Sequence, residues 1–381
     1  MTIRNFLFNA DVATRSRLPW VDYTKGIAII LVIYRHIWYG LSRDHMDTWH
    51  YPYLKYANDI VYSFRMPLFF VLSGVFIGRS LAKRSVGRFI KNKFNTLLYP
   101  YLVWAVLQIT LQILSTRFTN SHRGLIDYSY ILLQPRKIDQ LWYLISLFNV
   151  TILYMCFKAL IKLPKPWQLL LGLIFYWLAT YVQQWSLIHD ALYYYFFYAV
   201  GDNISEKTLN LGNVKHYSSL ILLSILVPLF ILSQTFFLQH PMDFGISRPN
   251  GINIGNHLVY YYLFIIITII GCAFLTNISF ILQRFAALKF LRVVGYHSLY
   301  IYVIHLSLMF IIRMLFTRVL HITNVPIMLF SSIFIGIPIS IMLYNTILRL
   351  GGWFLFTYEP DKKAMSLFSS HSSVVNQVEN H

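Results

Sequence analysis

KGIAIILVIYRHI, residues 25–37, is an apolar run with a lysine at its start and an arginine–histidine pair near its end. Helical spacing gives that pattern a meaning. At about 100° per residue, the eleven steps from Lys25 to His36 make three turns and about 20°, so the two side chains share a face. A rise of ~1.5 Å per residue separates them by roughly 16 Å along the axis. Asp22 lies about 40° off the same line and, three residues before Lys25, can pair with it. Arg35 points about 100° away. Ionisable groups inside a membrane span are costly and mark pathways or sites. The stretch therefore predicts a membrane helix with one polar face, Lys25 at its inner interface and His36 beyond the middle, toward the outside.

The rest of the chain agrees. Of its 381 residues 57% are hydrophobic, 18% aromatic and only 12% charged, where a soluble domain carries about 25% charged residues. The mean hydropathy is +0.55. Repeated apolar runs of about 20 residues predict an all-α integral membrane protein with about ten transmembrane helices. They fall near 24–42, 57–78, 94–115, 141–161, 168–183, 189–201, 217–237, 256–280, 293–312 and 326–348. The sixth, around ALYYYFFYAVG (191–201), is short enough to be tilted or partly re-entrant. Roughly two thirds of the 32 Lys and Arg residues lie in the segments on the same side as the N-terminus, which puts both termini in the cytoplasm. A net charge of +18 sits in the gaps between spans rather than on a soluble arm, so no nucleic-acid partner is implied. Cys156 and Cys272 fall inside apolar runs, so no disulfide framework is expected. The first apolar run is not followed by a small-residue cleavage site, which favours a retained helix over a signal peptide. The expected organisation is a cytoplasmic segment 1–23, one polytopic domain 24–350 and a polar, disordered cytoplasmic tail 351–381.

Further polar groups lie at similar depth. Arg65, in SFRMPLFFVLSG (63–74), stands about 13 Å below the outer end of the second span. It is either a structural cation on backbone carbonyls or part of the His36 layer. His305, in GYHSLYIYVIHLSL (295–308), lies midway along the ninth span, as a packed, satisfied histidine or as a member of the same layer. Lys25 by itself reads equally as a snorkelling anchor. After the second span, GRSLAKRSVGRFIKNKF (78–94) reads as a loop carrying Arg79, Lys83, Arg84, Arg88, Lys91 and Lys93 without an acid. Such a segment anchors on anionic lipid or binds a polyanion. Coenzyme A qualifies, because its 3′-phosphate and pyrophosphate suit arginine forks and lysine point charges. There is no Walker-type loop, and no HExxH, CxxC or other metal-ligand cluster.

WVDYTKGIAIILVIYRHI (20–37) resembles the opening helix of the acyltransferase 3 family, whose signature is Arg or Lys, ten residues, then His. FRMPLFFVLSGVF (64–76), LLYPYLVW (97–104), LWYLISLF (141–148) and SLYIYVIH (298–305) resemble four further family segments, in order along the chain. The resemblance implies a multi-pass enzyme of the bacterial inner membrane. Such enzymes move an acyl group, usually acetyl, from cytoplasmic acyl-CoA to a carbohydrate hydroxyl. It implies that Lys25 and His36 are the essential pair. Two features depart from the family pattern. The basic pair after span two is Arg88-x-x-Lys91 instead of Arg-x-x-Arg, and Arg65 stands where relatives often carry His. No soluble esterase-like domain is expected after the tail.

A mechanism follows. His36 acts as general base or transient acyl carrier, Arg65 or Arg35 stabilises the oxyanion, and His305 positions the acceptor or relays a proton. Arg79, Lys83, Arg84, Arg88 and Lys91 hold the CoA phosphates. Acetyl-CoA or another acyl-CoA is a donor substrate and not a resident cofactor. The partners are a glycan or lipid-linked saccharide and membrane lipid, with segments 116–140 and 238–256 facing the acceptor. The competing reading is a transporter or flippase of a lipid-linked sugar. A proton-coupled version would favour deep carboxylates, whereas Asp59 and Asp190 fall near span ends. A non-catalytic receptor or scaffold is a third reading.

Overall fold

A chain in lipid has to satisfy its own backbone hydrogen bonds, and a helix does so within one segment. In the computed structural model the described residues are 18–44, 46–114, 123–210, 216–240 and 258–359. Among them the regular structure is entirely helical. Each of the ten apolar runs falls on a helix: α1 Pro19–Arg43, α2 Pro52–Ala82, α3 Val86–Leu114, α4 Asp139–Leu160, α5 Lys165–Leu178, α6 Ser186–Asn210, α7 His216–Gln239, α8 Leu258–Arg284, α9 Ser298–Val319 and α10 Val325–Arg349. Seven of these, α2, α3, α4, α7, α8, α9 and α10, are long and apolar enough to cross a membrane. The other three fall outside that measure, because α5 is 14 residues long and α1 and α6 carry more polar and charged side chains.

Several helices open on proline at their first turn, where its missing N–H costs nothing: Pro19, Pro52 and Pro326. Asn324 caps α10 by accepting from the Ile327 amide at 3.0 Å. The second span is interrupted. It runs as Pro52–Ile60, Tyr62–Arg65, Pro67–Val75 and Ile77–Ala82. Pro67 supplies no N–H and crowds the preceding turn, so the helix breaks one residue after Arg65.

The sixth span differs from expectation. Instead of a short or re-entrant piece, α6 is a continuous helix of 25 residues. Tyr193 through Ala199 are all buried, as a helix apolar on every side requires. It packs against α2, α4 and α5, so it is the centre of one half of the bundle. In the other half α1 packs against α8, α9, α10 and a short helix, Phe290–Tyr296, that precedes α9.

Close crossings hold each half together. A Cβ on Gly74 would stand 2.1 Å from the Tyr198 carbonyl oxygen, and one on Gly201 2.1 Å from that of Val71. At the α1 crossing, a Cβ on Gly26 would stand 2.2 Å from the Leu291 oxygen and one on Gly295 1.8 Å from that of Asp22. Small residues let membrane helices approach backbone to backbone. Gly295→Ala is expected to destabilise by about 1–3 kcal/mol or more, read as a fall in melting temperature in detergent. An unchanged melting temperature would contradict the crossing.

The basic stretch is not a loop. It forms helices Ile77–Ala82 and Val86–Lys93 around a turn at Lys83–Ser85, with Phe89 fully buried as the anchor of the second. Long basic side chains are good helix formers and can reach solvent from an anchored helix. Residues 351–359, read as the start of the tail, pack on the neighbouring end of α3. The Trp104 indole donates to the Leu355 carbonyl at 2.9 Å, and Asn95 Oδ1 accepts from the amides of Tyr358 and Glu359 at 2.6 and 3.0 Å. Cys156 and Cys272 are free thiols. Segments 1–17, 116–122, 241–256 and 360–381, which include parts of the predicted terminal and acceptor-facing segments, lie outside the described residues.

Candidate active site

The face of α1 that carries His36 meets α9. The rings of His36 and His305 lie with centroids 5.2 Å apart and planes tilted by 55°. His305 is fully buried, whereas His36 is only half-buried and makes no hydrogen bond among the described residues. The orientation of His305 is set by its own helix. Nδ1 donates to the carbonyls of Tyr302 at 2.7 Å and Ile301 at 3.2 Å. A carbonyl only accepts, so Nδ1 carries the hydrogen and the neutral ring presents a lone pair at Nε2. That buried Nε2 has no hydrogen-bond partner among the described residues.

Two cations complete the layer. Arg35 and Arg65 are both within electrostatic range of His36. Arg65 is 3% exposed, and its Nη1 donates to Asn58 Oδ1 at 3.2 Å and more weakly to the Leu31 carbonyl at 3.4 Å. Both acceptors are neutral, and no carboxylate pairs directly with it among the described residues, so its charge is free to act on a developing anion. Asn58 precedes Arg65 by seven residues, two helical turns, a spacing through which it could have been found in the sequence. The Arg35 guanidinium sits 5.3 Å from the ring centroids of both Tyr39 and Tyr62, which fixes it at the edge of the layer.

The N-terminal end of α1 holds the second cluster. Asp22 is buried and lies within electrostatic range of Lys25. Lys25 and Arg84 both lie within range of Lys93, so the α1 lysine joins the basic stretch in space although about 60 residues separate them in sequence. Arg79, Lys83, Arg84, Arg88 and Lys91 are exposed. Arg84 donates to Ser80 Oγ at 3.0 Å, and Lys91 pairs with Glu359 at 2.8 Å. Arg79, Lys83 and Arg88 make no ion pair among the described residues. The structure thus brings together His36, His305, Arg35 and Arg65 in one layer, and Asp22, Lys25, Arg84 and Lys93 below it. Arg79, Lys83, Arg88 and Lys91 stay on the surface.

Two carboxylates on α6 are buried: Asp190, read from sequence as lying near a span end, and Asp202, which was not singled out. Asp190 accepts both bonds of the Arg136 Nε–H at 2.9 Å, and the Arg136 guanidinium also covers the Trp142 ring at 4.5 Å. Asp202, fully buried, pairs with Lys158 and accepts from the Tyr154 hydroxyl at 2.8 Å. Both acids are committed to cations.

The site's residues lie within the part of the chain that matches a known family. A family model described as an acyltransferase domain covers residues 18–345. Nodulation protein NolL of Sinorhizobium fredii is 32% identical over 143 residues, 37% of this chain and 37% of that protein. Nodulation protein NolL of Mesorhizobium japonicum is 35% identical over 105 residues, 27% of each. These alignments span little more than a third of the relatives' length at most. No solved structure matches. Because the family match takes in nearly the whole helical bundle, from the first residues of α1 to Asn345 in α10, the chain belongs to the acyltransferase 3 family of multi-pass membrane acyltransferases.

Proposed function

We propose that this chain is a membrane O-acyltransferase that moves an acyl group, acetyl in the first instance, from cytoplasmic acyl-CoA to a hydroxyl of a cell-surface or lipid-linked carbohydrate. The observation that carries this reading is the stacking of two clusters on one helix: His36 faces His305 deep in the bundle, roughly 16 Å above Lys25. Lys25 in turn adjoins Lys93 and, through it, Arg84. A polyanion held at the inner end can extend a flexible arm over that distance and deliver a thioester to the histidines. All ten helices span the bacterial inner membrane as one domain, 24–350, with both termini in the cytoplasm.

The chemistry needs only this chain's residues and the two substrates. The acceptor O–H attacks the thioester carbonyl carbon while His36 takes its proton. The oxyanion forms beside the Arg65 guanidinium. As the tetrahedral adduct collapses the C–S bond breaks, the acyl group stays on the sugar oxygen, and the CoA sulfur takes the proton from His36. The same His36 lone pair serves if the acyl group first rests on the imidazole as a transient carrier. Phosphates of the donor meet Arg79, Lys83, Arg84, Arg88 and Lys91.

Purified protein in proteoliposomes, given acetyl-CoA, is expected to bind it and release free CoA slowly, and faster with an acceptor glycan that becomes acetylated. Neither CoA binding nor CoA release would overturn the reading and bring transport of a lipid-linked sugar to the front.

A further inference from the structure

His36 and His305 do not play equivalent parts, and the hydrogen bonds of His305 say why. Its Nδ1–H is turned back onto the Tyr302 and Ile301 carbonyls of its own helix. The ring therefore presents Nε2 away from the α9 backbone, as an acceptor, with no other partner among the described residues. A fully buried acceptor without a donor costs about 1–3 kcal/mol. The neighbouring ring that can supply a donor across the helix interface is His36, 5.2 Å away centroid to centroid with its plane tilted by 55°.

We propose that His305 is a positioning residue that fixes the tautomer of His36. The chain of bonds runs from the His36 N–H to His305 Nε2, and from His305 Nδ1–H to the Tyr302 carbonyl. It leaves the other His36 nitrogen with its lone pair toward the reacting groups. This deepens the acyl-transfer reading and rests on it for its catalytic meaning. Proton balance is kept. The acceptor hydroxyl gives its proton to the free His36 nitrogen and the CoA thiolate later removes it. The hydrogen shared with His305 never leaves the pair. While His36 is an imidazolium its positive charge strengthens the N–H bond it donates to His305, which accepts as the carboxylate does in a serine-protease triad. Here the orienting group is a neutral imidazole locked by helix carbonyls, which suits a depth at which an added carboxylate would be costly.

The test uses the full chain in proteoliposomes and four forms: wild type, His36→Ala, His305→Phe and His305→Gln. Phe keeps the bulk of the ring and removes the acceptor, whereas the Gln amide places an oxygen near the position of Nε2. His305→Phe is expected to lower the turnover of acetyl-CoA about 100-fold with KM for acetyl-CoA unchanged. His305→Gln is expected to restore most of that loss. ¹⁵N NMR of histidine-labelled protein is expected to show His305 in the Nδ1–H form and His36 in one dominant tautomer, which becomes mixed in His305→Phe. Wild-type turnover in His305→Phe, equal losses in the Phe and Gln forms, or an Nε2–H tautomer at His305 in the wild type would each overturn the pairing. If the wild type itself releases no CoA, the acyltransferase reading fails. The tautomer measurement, which needs neither turnover nor a folded variant, then decides the pairing alone.

Discussion

His36→Ala is expected to abolish acetyl-CoA turnover while leaving a folded protein that still binds CoA. The ring is half-buried and makes no hydrogen bond among the described residues, so its removal strands at most the His305 Nε2 that the proposed pairing satisfies. What is lost is the group that takes the acceptor's proton, and a positioned general base contributes about 10²–10⁴-fold. CoA binding is expected to persist because Lys25, Lys93 and Arg84 lie at the other end of α1. Added imidazole can partly fill the space left by the side chain and is expected to restore a fraction of the rate. The pH profile carries the sign of the mechanism. Base catalysis needs the neutral ring, so wild-type turnover falls once the pH is low enough for the ring to take a proton. A His36→Ala rate within tenfold of the wild-type rate would remove His36 from the base role.

The positions of the helices were legible because each carries an apolar run, which a lipid-facing surface requires, but the full length of α6 was not, because its polar and charged residues interrupt that run. The α1 site was legible for a related reason. Lys25 and His36 are exceptions to their own background, and their spacing carries the face they share. Depth alone put Arg65 and His305 near His36. The pairing of His305 with His36, however, depends on how α9 crosses α1, which no local pattern contains. The basic stretch was legible as charge but not as helix, because it is Phe89 alone that anchors it. Asp202 was missed for a different reason. It stands just after ALYYYFFYAVG, where a charged residue signals the end of a span. The helix continues because Lys158, 44 residues earlier in the chain, and Tyr154 meet the acid inside the bundle. Compensation from another helix overrides the local signal.

That compensation makes Lys158→Met the substitution with the largest expected effect on stability. Lys158 is 21% exposed on its side chain and Asp202 1%, so the pair is mostly out of solvent. Removing the ammonium leaves the carboxylate with the Tyr154 hydroxyl, 2.8 Å from Oδ2, as its one hydrogen-bonded partner among the described residues, where Oδ1 makes no hydrogen bond. Breaking a buried pair from one side costs about 3–5 kcal/mol, chiefly because an uncompensated charge stays behind. The second change, Asp202→Asn, removes that charge and keeps an oxygen that accepts from Tyr154. The double variant Lys158→Met/Asp202→Asn is therefore expected to recover most of the loss. A thermal or denaturant melt of the purified protein in one detergent, run on the wild type, both single variants and the double variant, reads the coupling directly. Recovery in the double variant would mark the pair as scaffold, holding α6 against α4 some distance from the chemistry. Losses that simply add, or a stable Lys158→Met protein with no turnover, would instead assign Asp202 to the site and reopen the transport reading.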